Sequence, residues 1–126
     1  MLTLHHLEYS QSYRVLWLLE ELGVDYELKL YERDKETRLA PADYKAISPL
    51  GTSPVISDGE LNLAETGAIF DYILDQHPES PLRPTANSAA RTDYLFWSHA
   101  AQGSFMPMLL MSIVFQTLET RSPGLI

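Results

Sequence analysis

Cysteine is absent from the 126 residues. That excludes a disulfide framework, a thiolate metal site and any nucleophilic or redox chemistry by a protein thiol. Positive charge is scarce, with nine Lys and Arg against seventeen Asp and Glu and a net charge of −8. No basic stretch offsets this balance, which argues against nucleic acid as a partner, because such binding rests on neutralising phosphates. The opening Met1-Leu2-Thr3-Leu4-His5-His6 lacks the charged and apolar regions of a signal peptide. Long apolar runs are lacking too: the longest, Phe105 to Phe115, is short for a bilayer span and contains Pro107. No G-x-G-x-x-G, P-loop, G-x-S-x-G, H-x-x-x-H or H-E-x-x-H occurs, so the common nucleotide, hydrolase and zinc signatures are missing. What is present, 45% hydrophobic and 21% charged residues, suffices for a buried core. The composition describes a soluble, acidic, cytoplasmic protein with no membrane partner. Its length fits one domain, or one domain and the start of another.

Local patterning gives the order of elements. Leu2 to His6 alternates as a short strand, and Glu8 to Ser12 is a polar connector. Val15, Leu18, Leu19 and Leu22 then recur at i, i+3, i+4 and i+7, one apolar helix face. Ser10 or Ser12 can cap its start, and Gly23 is suited to its end. Tyr26, Leu28 and Leu30 alternate with Glu27, Lys29 and Tyr31 as a second strand, which a helical crossover makes parallel to the first. Glu32 to Arg38 reads as a solvated charged loop, and Pro41 to Ile47 as a short helix. Val55-Ile56 and Leu61-Asn62-Leu63 flank Asp58-Gly59, the mark of an antiparallel hairpin. Ile69, Tyr72, Ile73 and Gln76 share one face of a helix beginning near Glu65-Thr66.

His77 to Thr85 holds Pro78, Pro81 and Pro84 and reads as a linker. Beyond it, Asn87 to Glu119 is helical in composition, with Met106, Leu109, Leu110, Ile113 and Val114 as an apolar stripe. Gly103 and Pro107 allow one kinked helix or two abutting ones. The expected division is a first domain over 1–79, a proline-rich linker over 80–88 and the start of a second domain over 89–126. The late stripe has no following helix to cover it, so an exposed apolar face and self-association are expected.

Three segments could carry chemistry. Tyr9-Ser10-Gln11-Ser12 places hydroxyls at a helix N-terminus, where free N–H groups and the helix dipole favour an anion. Serine in that place is in most proteins only a cap. Ser48-Pro49-Leu50-Gly51-Thr52-Ser53-Pro54 enters a strand through a tight turn. A cis Ser53–Pro54 bond there would turn the backbone N–H and C=O of Ser53 toward an extended peptide ligand; a simple strand-initiating proline is the plainer reading. Glu65-Thr66 ends a strand and begins a helix, where Thr66 could bind a carboxylate and Glu65 an ammonium, or the pair could merely cap. His5 and His6 are neighbours in a strand and face opposite ways, so they cannot share one metal ion, and no metal site is expected.

Taken together these segments resemble a known family. Ser10 to Gly23 looks like the first helix of cytosolic glutathione S-transferases. Ser48 to Val55 resembles their N-P-x-G-x-V-P-x segment, with Ser48 for Asn, and Glu65-Thr66-Gly67-Ala68-Ile69 resembles E-S-x-A-I, with Thr66 for Ser. The match spans residues 1 to about 85. It implies an α/β chain: a thioredoxin-like N-terminal domain followed by the first helix or helices of an all-α C-terminal domain, here ending early. Trp97 and the Gly103 to Pro107 stretch favour the bacterial and fungal branch.

The resemblance also implies roles. Ser10 matches the hydroxyl that Ser-type classes hold against the glutathione sulfur, with Ser12 and Tyr9 as alternates. Ser53 and Pro54 match the pair facing the cysteinyl unit, and Glu65 and Thr66 the pair binding the γ-glutamyl end. Glutathione is then the co-substrate, a small electrophile the second substrate and a homodimer the assembly. The implied activity is thiol activation for attack on an electrophile. The alternatives are a glutathione-dependent isomerase and a non-catalytic interaction protein of the same fold. Lacking cysteine, the chain cannot belong to the Cys-type classes.

Overall fold

A computed structural model describes residues 1–48 and 50–121, without the side chains of residues 120 and 121. Pro49, in the second of the three segments, and residues 122–126, counted in the second domain, lie outside the described residues. The chain divides into two compact units, Met1–Leu82 and Arg83–Ile126.

The first unit runs β1 (Thr3–Leu7), α1 (Ser12–Leu22), β2 (Glu27–Tyr31), α2 (Ala42–Ile47), β3 (Val55–Asp58), β4 (Leu61–Ala64) and α3 (Thr66–Asp75). The four strands form one sheet in the order β2-β1-β3-β4. β1 and β2 are parallel, while β3 is antiparallel to both β1 and β4. This is the thioredoxin-like arrangement that the resemblance implies.

Strand alternation divides the interior into two cores. On one face Leu4 and Ile56 meet Val15, Leu18 and Leu19 of α1 and Ile69, Ile73 and Leu74 of α3. On the other, Leu7, Tyr31 and Val55 meet Tyr44 of α2. The apolar spacing of α1 therefore lies against the sheet as its sequence implies. The helix stops at Gly23, whose left-handed φ of 63° returns its N–H to the Glu20 carbonyl.

Several expectations are corrected. The start of α1 has Gln11 at the cap position with no side-chain cap bond, and Ser10 instead accepts from the N–H of Ser12, the first helical residue. In β2, Tyr31 is buried while Leu28 and Leu30 are 41% and 68% exposed. β2 is an edge strand, and α1 and α3 cover the middle of the sheet instead. The hairpin turn sits one residue later than Asp58-Gly59, since Asp58 pairs with Leu61 and leaves Gly59-Glu60 between them. Gly59 has φ 58°, which a two-residue hairpin turn favours. In α3 the buried residues are Thr66, Ile69, Ile73 and Leu74, whereas Gln76 lies past the helix end.

In the second unit, residues 91–121 form one continuous helix. α4 (Arg91–Ala100) passes through a π-helical turn, Ala101–Phe105, into α5 (Met106–Arg121). Helix begins at Arg91, later than the expected Asn87, and the two abutting segments join without a break. Pro107 explains the π turn, because a proline lacks the N–H that an α-helical bond requires and its ring crowds the preceding turn. The expected single stripe of α5 is broader: Met108, Met111, Phe115 and Leu118 are exposed alongside Leu109, Leu110, Ile113 and Val114. Arg91–Glu119 is a 29-residue helix, by length and composition long enough to cross a membrane, unlike the shorter apolar run alone. Core helices of soluble proteins share that property.

Leu19 sits fully buried between sheet and helices. Leu19→Ala should lower the unfolding free energy by about 2–5 kcal/mol. Urea denaturation followed by circular dichroism measures this, and a loss below about 0.5 kcal/mol would place Leu19 outside the core.

Candidate functional site

The sheet register gathers the three sequence segments at one end. β1 ends at Leu7, and the connector Glu8–Gln11 leads directly into α1. Because His5 pairs with Val55 in the antiparallel β1–β3 ladder, the residues just before Val55 lie beside the end of β1. Val55 in turn pairs with Ala64, so Ser53-Pro54 and Glu65-Thr66 flank the same rung. The open end of the sheet thus carries the β1–α1 corner, the turn into β3 and the start of α3.

Ser10 is the centre of the corner. Its Oγ donates to the Leu7 carbonyl at 2.6 Å, lies 2.7 Å from Ser12 Oγ and 2.9 Å from Ser53 Oγ, and accepts from the Ser12 N–H at 3.2 Å. Ser12 is fully buried, with its hydroxyl 2.8 Å from His6 Nδ1 and 3.3 Å from the Leu7 carbonyl. Ser10 is half-buried, so of the two serines it is the one open to solvent. Tyr9 has φ 50° and is 75% exposed, with the Arg38 guanidinium 5.6 Å from its ring centre.

The Ser53–Pro54 bond is cis, and Pro54 is buried while Ser53 is half-exposed. At the third segment Glu65 has φ 76° and an exposed side chain, and its carbonyl accepts the Ile69 N–H. Thr66 is buried as the first residue of α3. Ser10, Ser12 and Ser53 are joined by hydrogen bonds, whereas Glu65 and Thr66 share their end of the sheet through the β3–β4 register. Among the described residues no three His, Asp or Glu side chains group as metal ligands.

Comparison with known proteins identifies the fold. Residues 1–75 match the family model described as "Glutathione S-transferase, N-terminal domain". The chain belongs to the glutathione S-transferase family. A curated relative, Glutathione S-transferase 3 of Schizosaccharomyces pombe, is 36% identical over 98% of this chain and 50% of its own length. A glutathione S-transferase crystal structure from Actinobacillus pleuropneumoniae is 42% identical with a TM-score of 0.83, covering 93% of this chain and 54% of that one. A sphingomonad glutathione S-transferase solved with glutathione is 28% identical with a TM-score of 0.67, over 86% and 54% of the two chains. The chain spans about half the length of the curated relatives it matches.

Within this glutathione S-transferase unit, sequence reasoning passed over four residues around the corner. Arg33 was read as part of a solvated loop. Its backbone N–H instead donates to Glu8 Oε1, and its guanidinium to the carbonyls of Glu8 and Arg38, which ties the connector to the end of β2. Tyr44 is fully buried, with its hydroxyl near Ser53 but not in a well-formed hydrogen bond. Burial pushes that hydroxyl's pKa up, and the Ser53 side chain acts in the opposite direction. His6 was dismissed as a metal ligand, but strand alternation alone could have turned it toward α1. His5 faces the other way, between the Tyr31 hydroxyl at 3.0 Å and Ser57 Oγ at 2.7 Å.

Burial lowers the pKa of both histidines, and for His5 the Lys29 charge adds to it while Glu27 opposes. An unfolded histidine titrates near about 6.5, so the unfolded chain binds more protons than the fold as pH falls below that value. This contribution to stability is complete above the unfolded pKa and is lost as pH falls toward the depressed folded values. The unfolding free energy should therefore be smaller at about pH 5.5 than at about pH 7.5, with a shallower decline in His5→Gln. Urea melts at the two pH values test this; equal stability would contradict it.

Proposed function

We propose that this chain binds glutathione across the open end of the sheet and that Ser10 stabilises its thiolate for attack on an electrophile. The observation that carries the reading is Ser10, partly exposed just before the start of α1, with its hydroxyl 2.9 Å from Ser53 Oγ. In this reading the backbone of Ser53, beside Pro54, faces the cysteinyl unit, and Glu65 and Thr66 hold the γ-glutamyl end. Ser12 and Tyr9 are weaker candidates for the sulfur: Ser12 is enclosed and engaged with His6, and Tyr9 stacks under Arg38.

The energy scale is adequate. A free thiol has a pKa of about 8.5, and lowering it by about two units takes roughly 2.7 kcal/mol. A hydrogen bond to a charged acceptor contributes about 1.5–3 kcal/mol and a helix N-terminus about 0.3–1 kcal/mol. The thiol proton passes to solvent, and the Ser10 proton turns from the Leu7 carbonyl to the sulfur as the complex forms. The second substrate is a small electrophile. A homodimer in the cytoplasm completes the reading, supported by family membership and by the exposed apolar side chains of α5.

Ser10→Ala should reduce kcat for conjugation of a chloronitrobenzene by about tenfold or more, with little change in the KM for glutathione. Steady-state kinetics with Ser12→Ala as the companion variant checks this. Wild-type kcat in Ser10→Ala would remove Ser10 from the role, and a wild-type chain that is retained on glutathione-agarose but shows no conjugation would favour a non-catalytic binding protein.

A further inference from the structure

One buried hydroxyl stands unpaired beside the corner. Tyr44 of α2 is 0% exposed, and its hydroxyl makes no well-formed hydrogen bond. A buried donor in that state is a cost to the ligand-free fold, because it has given up water without gaining a partner. The ring is not free to swing away: it packs edge-on to Tyr31 at 5.0 Å and meets Leu7 and Val55. Its hydroxyl is therefore kept near Ser53, which the cis Pro54 joins to Val55.

Counting protons gives these hydroxyls a direction. Ser10 has one hydroxyl proton and donates it to the Leu7 carbonyl at 2.6 Å. Toward Ser53, 2.9 Å away, Ser10 can then only accept, so the Ser53 proton points at Ser10 Oγ. Ser53 Oγ has lone pairs to spare, and the Tyr44 hydroxyl near it has a proton without an acceptor. Both needs are met if Tyr44 donates to Ser53 and Ser53 to Ser10. The order is unchanged when the Ser10 proton turns to a sulfur, because Ser10 still accepts from Ser53. Each hydrogen bond accepted makes a hydroxyl a stronger donor in turn.

We propose that Tyr44 is a positioning residue whose hydroxyl closes a hydrogen bond to Ser53 Oγ as glutathione binds, and so holds the Ser53 proton on Ser10. This rests on the reading of Ser10 given above. Hydrogen bonds that serve a reaction are often long or misaligned before the ligand arrives and tighten in the complex. Tyr44 touches neither sulfur nor electrophile; it acts through Ser53 and Ser10.

Tyr44→Phe keeps the ring and removes only the oxygen. The free variant should unfold at the wild-type urea concentration or higher, because the group it loses was unpaired. With glutathione bound, the same variant should cut the thiolate-to-thiol ratio at neutral pH several-fold, read by ultraviolet absorbance, with little change in KM for glutathione. A lower urea midpoint with a wild-type thiolate ratio would make Tyr44 merely structural and overturn the proposal, as would failure of the variant to fold. Ser53→Ala should cut the ratio at least as far, and adding Tyr44→Phe to it should cause no further loss. An unchanged ratio in Ser53→Ala, or a full additional loss in the double variant, shows that Tyr44 does not act through Ser53. If Ser10→Ala raises the thiol pKa and Tyr44→Phe does not, the Tyr44 role falls and the Ser10 reading stands. If Ser10→Ala leaves the thiol pKa unchanged, the Ser10 reading falls and takes this inference with it.

Discussion

The contact between the Ser10 hydroxyl and the Leu7 carbonyl holds the corner on which the candidate site depends. It joins the last residue of β1 to the start of α1 and fixes where a hydroxyl proton stands relative to the first N–H groups of that helix. Three further bonds converge on the same oxygen, from Ser12 twice and from Ser53. Arg33 fastens the outer side of the connector to β2 through the Glu8 backbone and carboxylate. These contacts fix the position of the Ser10 oxygen before an anion arrives, so that only its proton has to turn.

The rest of the fold brings other polar groups to that corner. Pairing of His5 with Val55 and of Val55 with Ala64 places Ser53 and Glu65-Thr66 at the end of the sheet where β1 finishes. The two apolar cores on opposite faces of the sheet hold this register, since a slip of one residue would exchange the buried and exposed sides of each strand. Packing and chemistry are therefore linked through alternation along β1: Leu4 and His6 face α1, while His5 and Leu7 face Tyr31 and α2.

Much of this was legible in the sequence because it rests on local rules. The spacing of Val15, Leu18, Leu19 and Leu22, the αL residue Gly23 and the Asp58-Gly59 hairpin signal each specify an element without reference to distant residues. What local rules miss is context. Leu28 and Leu30 alternate like core residues, yet β2 lies at the sheet edge where α1 and α3 leave them uncovered. The α5 stripe was drawn from five residues, although Met108, Met111, Phe115 and Leu118 extend it around the helix. Arg33, Tyr44 and His6 matter through partners 6 to 25 residues away in the chain or through enclosure, neither of which a spacing pattern records. The motifs that marked the site were those whose chemistry is local, namely hydroxyls at helix starts and a proline turn entering a strand.

This corner should make a bound sulfhydryl more acidic. Ultraviolet absorbance of the thiolate, followed while the wild-type glutathione complex is titrated, reads this without intermediaries. The expected midpoint lies about two units below the free-thiol value of about 8.5. A midpoint equal to that of free glutathione, with binding intact, would contradict it.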